Sequence, residues 1–374
     1  MDRNVLRAHE RHQRSPSKRL ARYGTGNRSD TVRTDQATSS GMGKLRTMRR
    51  LLGVATAFVA LLLAGTAAAQ SPAGTWTTGT PLPTARSEDS VAAVGSTIYV
   101  IGGYAPAGPN PNALDVSGRV DVSRPLVQAY DAQTGRWSER APLPRGLNHV
   151  GVAAFGGKIY AFGGFAQQNR GPVADANVYD PATNAWTALP PLPAPLGSIS
   201  IAALGGKLHL IGGRDAHSVA THTVFDPATQ TYTTAAPLPV GRDHMGLVAY
   251  GSKLYAIAGR IDDFNHNTSF VDVYDPAADR WTAGKPMPSQ RSGSAVALYR
   301  DRILVIGGEF GGGAYTNNEA YDPRTDTWTA LAPLPEGRHG TGAAVVGDAL
   351  YVPAGAPVNG GSRQSDTLLV YRQS

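Results

Sequence analysis

The chain of 374 residues contains no cysteine. Disulfides cannot therefore support the fold, although an exported chain could use them, and a lipid-anchored bacterial lipoprotein is excluded. Positive charge is also missing where it would count. The formal charge is +7, but residues 1–69 hold 13 Lys/Arg against 4 Asp/Glu, leaving 22 against 24 downstream. The nucleic-acid-binding surface that the high pI suggests thus loses its support. Phosphate loops and Ser/His/Asp arrangements are lacking too. His209, His217 and His222 have no metal-ligand spacing, and the run Asp263-Phe-Asn265-His-Asn267 lacks the turn glycine and distal glutamate of a calcium loop. No metal and no cofactor are expected.

What the chain does have is a repeated phrase. YDPATNAWTALPPLP at 179–193 returns as YDPAADRWTAGKPMP at 274–288, with further copies at 130–144, 225–239 and 321–335. Apolar runs ending in glycine begin at 98, 159, 208, 254, 303 and 350, at spacings of 61, 49, 46, 49 and 47 residues. Six repeats of roughly fifty residues follow.

Each repeat holds four short apolar segments separated by turn signals, none long enough for an ordinary helix. Gly156-Gly157, Gly205-Gly206, Gly95-Ser96, Gly251-Ser252 and Gly347-Asp348 suit two-residue hairpins, which need positive φ. Asp-Pro-x-Thr suits a type I turn, with proline presetting φ. One four-stranded meander cannot bury both faces, so the repeats must stack and close into a ring. The expectation is an all-β, six-bladed β-propeller with inner strands rich in Gly, Ala and Ser. The sixth repeat lacks its own Trp segment, and TWTTGTPLP at 75–83 supplies an orphan fourth strand to complete it.

The double glycine, the Tyr-Asp turn and the Trp six residues after the Asp resemble the kelch-repeat propellers, across essentially all of 74–374. Tyr232 for Trp, Phe225 for Tyr, and single glycines at Ala258-Gly259 and Ala354-Gly355 are departures confined to single blades. A galactose-oxidase-like copper site, which in that kelch family depends on a Tyr–Cys cross-link, is excluded by the missing cysteine.

Residues 1–44 read as an Arg-rich disordered extension or an over-extended start. Residues 45–69 carry a basic region, an apolar run and an Ala67-x-Ala69 pattern, which is the form of a secretory signal cleaved before Gln70; a signal-anchor helix is the alternative. Residues 70–374 are the propeller. A secreted or periplasmic monomer is expected, without a membrane anchor after cleavage.

Function must come from the loop end, where equivalent positions in six blades converge. Three residues past each PLP or PMP stand Arg86, Leu147, Leu196, Arg242, Arg291 and Arg338. Ser87-Glu88, Asn148-His149, Asp243-His244 and His339-Gly340 follow at the next two positions, and Arg214, Arg260 and Glu309 come directly after glycine pairs. Arg86, Arg214, Arg242, Arg260, Arg291, Arg338, Asn148 and His339 are the expected ligand-binding set, since Arg binds oxyanions bidentately. The repeated arginine could instead brace loops by bonding their carbonyls. The first reading is a binding module for a protein or glycan at this mouth. The second comes from resemblance to exported kelch proteins such as N-acetylneuraminate epimerase: a sugar mutarotase or epimerase using Glu88, His149, His244 and Glu309 as acid and base. The loop at 104–125 is about twelve residues longer than its equivalents.

Overall fold

The computed structural model describes residues 73–106, 121–167 and 169–373. The extension 1–44, the signal 45–69 and most of the long first loop lie outside them. Six four-stranded antiparallel sheets form the blades, and the inner strand of each touches the next, the sixth returning to the first. Blade one runs Ser90–Val94, Thr97–Ile101, Val127–Asp131 and Arg136–Glu139. The inner strands of blades two to six are Gly151–Phe155, Ser200–Leu204, Gly246–Tyr250, Ala295–Tyr299 and Ala344–Val346.

Closure occurs as the sequence implies. Thr75–Thr78 pairs antiparallel with Leu368–Arg372, setting Trp76 opposite Tyr371 with ring centroids 4.9 Å apart. Trp76 Nε1 donates to Ala332 O at 2.9 Å. That bond repeats around the ring: Trp137, Trp186, Trp281 and Trp328 each donate to the residue just before the crossing Pro, at Thr80, Ala141, Ala236 and Lys285. In blade three the Tyr232 hydroxyl makes the same bond to Pro190 O at 2.7 Å. The Trp series is therefore a clamp between a fourth strand and the segment entering its blade.

Second strands are continuous apolar runs because neighbouring blades cover both faces. Their aromatic residues meet across the interfaces: Tyr99 with Tyr179, Tyr160 with Phe225, Tyr255 with Tyr321, Tyr351 with Tyr130. In blade three His209 holds this place and packs on Tyr274. Inner strands need small residues because a Cβ at Gly246 would stand 2.4 Å from Val296. The first glycine of each pair has a related cause. Gly163 has φ +62, and a Cβ there would lie 2.1 Å from Leu196 O in the incoming segment of the next blade.

One turn escaped the glycine pattern. The blade-five hairpin is built on Arg300 and Asp301, with φ of 50° and 59°. The Asp-Pro turns have Asx bonds, as in Ala182 N to Asp180 Oδ1 at 2.9 Å, and then close on a left-handed residue: Gly135, Asn184, Gln230, Asp279 or Asp326. The run 263–267 is a short 3-10 turn over Phe264–His266, capped by Asp263.

Candidate functional site

At the loop end, each residue after a glycine pair forms a bridge with the incoming segment of the same blade: Ser87 with Tyr104, Asn148 with Phe165, Gly197 with Arg214, Asp243 with Arg260, Ser292 with Glu309, His339 with Ala356. The next residue in each incoming segment is left-handed. Glu88, His149, Ser198, His244, Gly293 and Gly340 have φ between 51° and 65°. Two arcs of backbone bonds link them, His149 N to Glu88 O and Ser198 N to His149 O, then Gly293 N to His244 O and Gly340 N to Gly293 O. Positive φ turns these six residues onto the axis, where they line a pocket of about 140 Å3 with Asp89, Ser90, Ser294 and Thr341.

Glu88 and His149 form one half of the polar cluster. His149 Nε2 stands 2.9 Å from Glu88 Oε2, and both side chains are 6% exposed. Nδ1 of the same ring meets Asn148 Oδ1. The Asn148 amide is oriented by its Nδ2, which donates to Ser123 Oγ at 2.8 Å and Phe165 O at 2.9 Å. Oxygen atoms therefore face both nitrogens of the His149 ring. Burial works to raise the Glu88 pKa, but the interaction with His149, and behind it His339, holds this carboxyl well below its usual range.

The second half is built on Asp243. It bonds His244 Nδ1 and Arg260 Nε and accepts from Ser218 Oγ. Arg260 Nη2 lies 2.9 Å from His244 Nε2, and Nη1 pairs with Glu309 Oε1. A guanidinium has no lone pair to offer, so His244 Nε2 is the acceptor and the ring is neutral, protonated on Nδ1. Burial and then the Arg260 charge lower the His244 pKa accordingly. Asp243 is brought to about 2, because its cationic and hydroxyl partners outweigh burial. Glu309 Oε2 also accepts from Gly360 N at 3.2 Å and lies 3.7 Å from His339 Nδ1. Asp89 differs: burial raises it to about 7 despite Arg86 and the bond from Thr341 Oγ1 at 3.0 Å.

One donor atom each from Glu88, His149 and His244 lies within 4.8 Å of the others. These are metal-ligand types, contributed by three blades, so no spacing along the chain displays them. Arg260 donates into the His244 nitrogen and sets a positive charge against any cation there.

A family model described as N-acetylneuraminate epimerase matches residues 126–364. The chain belongs to the N-acetylneuraminate epimerase family of kelch propellers. The solved propeller titled "Structure of YjhT" superposes with a TM-score of 0.64 at 18% identity, covering 78% of this chain and 96% of that one. Among curated relatives, the kelch-like protein terF of Aspergillus terreus is 40% identical over 79 residues, 21% of this chain and 15% of that protein. Kelch-like protein 36 of Bos taurus is 35% identical over 94 residues, 25% of this chain and 14% of that protein. The matches therefore span about one seventh of these curated relatives.

Within this epimerase-family propeller, Glu88, His149, His244 and Glu309 come together with Arg260, Asn148 and His339. Arg214 stands at the rim, half-buried; Nη1 donates to Asp262 O and its Nε has no hydrogen-bond partner among the described residues. The other four arginines are a correction. Arg86, Arg242, Arg291 and Arg338 are 0–3% exposed and do not reach the mouth. Arg86 bonds Gly102 O, Leu126 O and Gln128, Arg242 pairs with Asp272, Arg291 with Glu319 and Val305 O, and Arg338 donates to Ala354 O. Their position faces the blade interface, as the buried Leu147 and Leu196 in blades two and three already indicate. Asp89 was missed, and Asp243 was named at the loop end without a role. Asp243 had a readable signal, for it precedes His244 as Asn148 precedes His149, and each supplies oxygen to the following ring.

Proposed function

We propose that the axial cluster interconverts anomers of a sugar by general acid–base catalysis, with an acidic sugar of the N-acetylneuraminate kind as substrate class. The supporting observation is the buried Glu88–His149 pair at 2.9 Å, which sets a carboxylate and an imidazole side by side on the axis. In this reading Glu88 takes the proton of the anomeric hydroxyl as the ring C–O bond breaks, and His149 protonates the departing ring oxygen. The open-chain carbonyl rotates, and the ring closes on its other face with both protons returned. A pocket of about 140 Å3 accommodates the anomeric centre while the rest of the sugar stays in the rim. Of the six arginines, Arg214 is the one neither buried inside a blade nor tied into the axial cluster, and it is the cation offered to the carboxylate.

The reading as a binding module without turnover drew on six convergent arginines, and four of these are committed inside blades. It keeps support from Ile261 and Phe310, 38% and 37% exposed on loop-end segments, which suit a protein partner. Export, as a secreted or periplasmic protein, belongs to the same proposal and rests on the leader 45–69.

Proton NMR of freshly dissolved single-anomer N-acetylneuraminate separates the readings. Catalysis predicts equilibration well above the spontaneous rate, lost in Glu88→Gln and in His149→Gln. A rate equal to buffer for this and other acidic sugars would remove the catalytic reading.

A further inference from the structure

Between the segment entering blade three and that blade's second, third and fourth strands lies a cleft of about 420 Å3, bounded among others by Leu192, Leu196, Leu210, Thr221, Thr223 and Tyr232. The repeat explains why it is open. In blades one, four and five the incoming arginine meets a polar or acidic side chain from the third strand: Arg86 with Gln128 at 2.7 Å, Arg242 with Asp272 at 2.7 Å, Arg291 with Glu319 at 2.6 Å. Those partners share one register, opposite Val100, Ala256 and Val305 of their second strands. In blade three the same register, opposite Leu210, holds Thr223, while Leu196 takes the arginine position and Tyr232 the Trp position. Three shorter side chains together leave unfilled the volume that a guanidinium and its partner occupy elsewhere.

The carbonyl acceptors for that guanidinium are still present, Gly212 O taking only a long bond from the Thr221 hydroxyl at 3.4 Å. Arg86 Nη1 donates to Gly102 O at 3.2 Å and Leu126 O at 2.9 Å, two residues joined by the bond from Gly102 N to Leu126 O. Their counterparts Gly212 and Thr221 are joined by the same bond at 2.8 Å and line the cleft. Blade one holds its guanidinium on two carbonyls and an amide oxygen, with no carboxylate bonded to it. We propose that the blade-three cleft binds a guanidinium group carried on an aliphatic stem. The planar head takes Gly212 O, Thr221 O and the Thr223 hydroxyl, and the stem lies along Leu192, Leu196 and Leu210. An ammonium ion, compact and strongly hydrated, matches this flat set of acceptors less well. The site lies apart from the axial cluster and does not depend on its chemistry.

The test is methyl NMR of the full chain titrated with agmatine, and separately with a short end-blocked peptide carrying one arginine. Saturable shifts at Leu196, Leu210 and Thr223 are expected, at least about tenfold tighter than with putrescine, which carries ammonium ends instead. Agmatine binding without the peptide identifies a small-molecule ligand, and the reverse identifies an arginine side chain of a protein. Leu196→Arg should fill the cleft from within and abolish the shifts. Thr223→Val keeps the shape, removes the side-chain acceptor, and should weaken binding about tenfold. Absence of saturable shifts with both probes, equal affinity for putrescine, or undiminished binding by Thr223→Val overturns the proposal.

Discussion

Arg260 Nη2 stands 2.9 Å from His244 Nε2, so a fixed positive charge donates into the one ring nitrogen that could take a proton. This keeps a buried histidine neutral on the axis while Asp243 orients both groups. Replacing Arg260 by Gln removes the charge and leaves the burial. The His244 pKa should therefore move upward, read from its ring C–H resonances in an NMR titration. An unchanged midpoint would mean that burial alone sets the value.

Asp89 makes stability fall with rising pH. Its folded pKa of about 7 lies above the ordinary value of 3.8, so the folded state binds the extra proton between them. The stability it contributes is complete below pH 3.8 and is lost as pH rises through 7, on the order of 2–4 kcal/mol. Asp89→Asn keeps an acceptor for Thr341 and should be more stable than the parent at pH 8, by chemical denaturation, with little difference at pH 4.

His209 and His222 act in the opposite direction. His222 Nδ1 donates to Ala236 O at 3.1 Å, and its Nε2 accepts from His209 Nδ1 at 2.9 Å, so both rings are neutral. Burial, followed by His222, lowers His209 to about 4. A lowered histidine pKa contributes stability above the unfolded value of 6.5 that is lost as pH falls through 4. His209→Tyr installs the residue that blades one, two, four and six carry at this place. Its Tm should exceed the parent's at pH 5 by more than at pH 7.5. Because the Asp89 and His209 slopes oppose each other, each is read as a mutant-minus-parent difference.

The Arg300-Asp301 hairpin places two side chains at positive φ, where an L-residue costs roughly 1–2 kcal/mol. Asp301→Gly relieves one of them and leaves Arg300 stacked on Tyr299. A gain of about 0.5–1 kcal/mol is expected in urea unfolding. A loss would show that Asp301 has a compensating interaction.

Removing residues 70–80 takes the fourth strand from blade six and exposes the edge Leu368–Arg372. Trp76→Ala alone should cost about 2–3 kcal/mol, below the value for a fully buried indole because Trp76 is half-buried. The deletion should cost more and should broaden the transition. A melting temperature within a degree or two of the parent would contradict closure by this strand.

The sequence by itself determined the blades, their number and their closure, because these follow from local signals repeated six times. Gly163 is needed where Leu196 O approaches, and the indoles of Trp137 and Trp186 clamp their crossings with the same bond. Period and register expose such requirements along the chain. The sequence also named Glu88, His149, His244 and Glu309 by position. Only the tertiary structure decided what neighbouring positions face. Glu88 turns to the axis by its positive φ, whereas Arg86, two residues earlier, turns into the blade and is consumed by Gln128 and two carbonyls. The pairing of Arg260 with His244, Asp243 and Glu309, and the cleft left by Leu196, Thr223 and Tyr232, join residues from different segments, and no one-dimensional pattern records which side chains will compete for the same volume or the same charge.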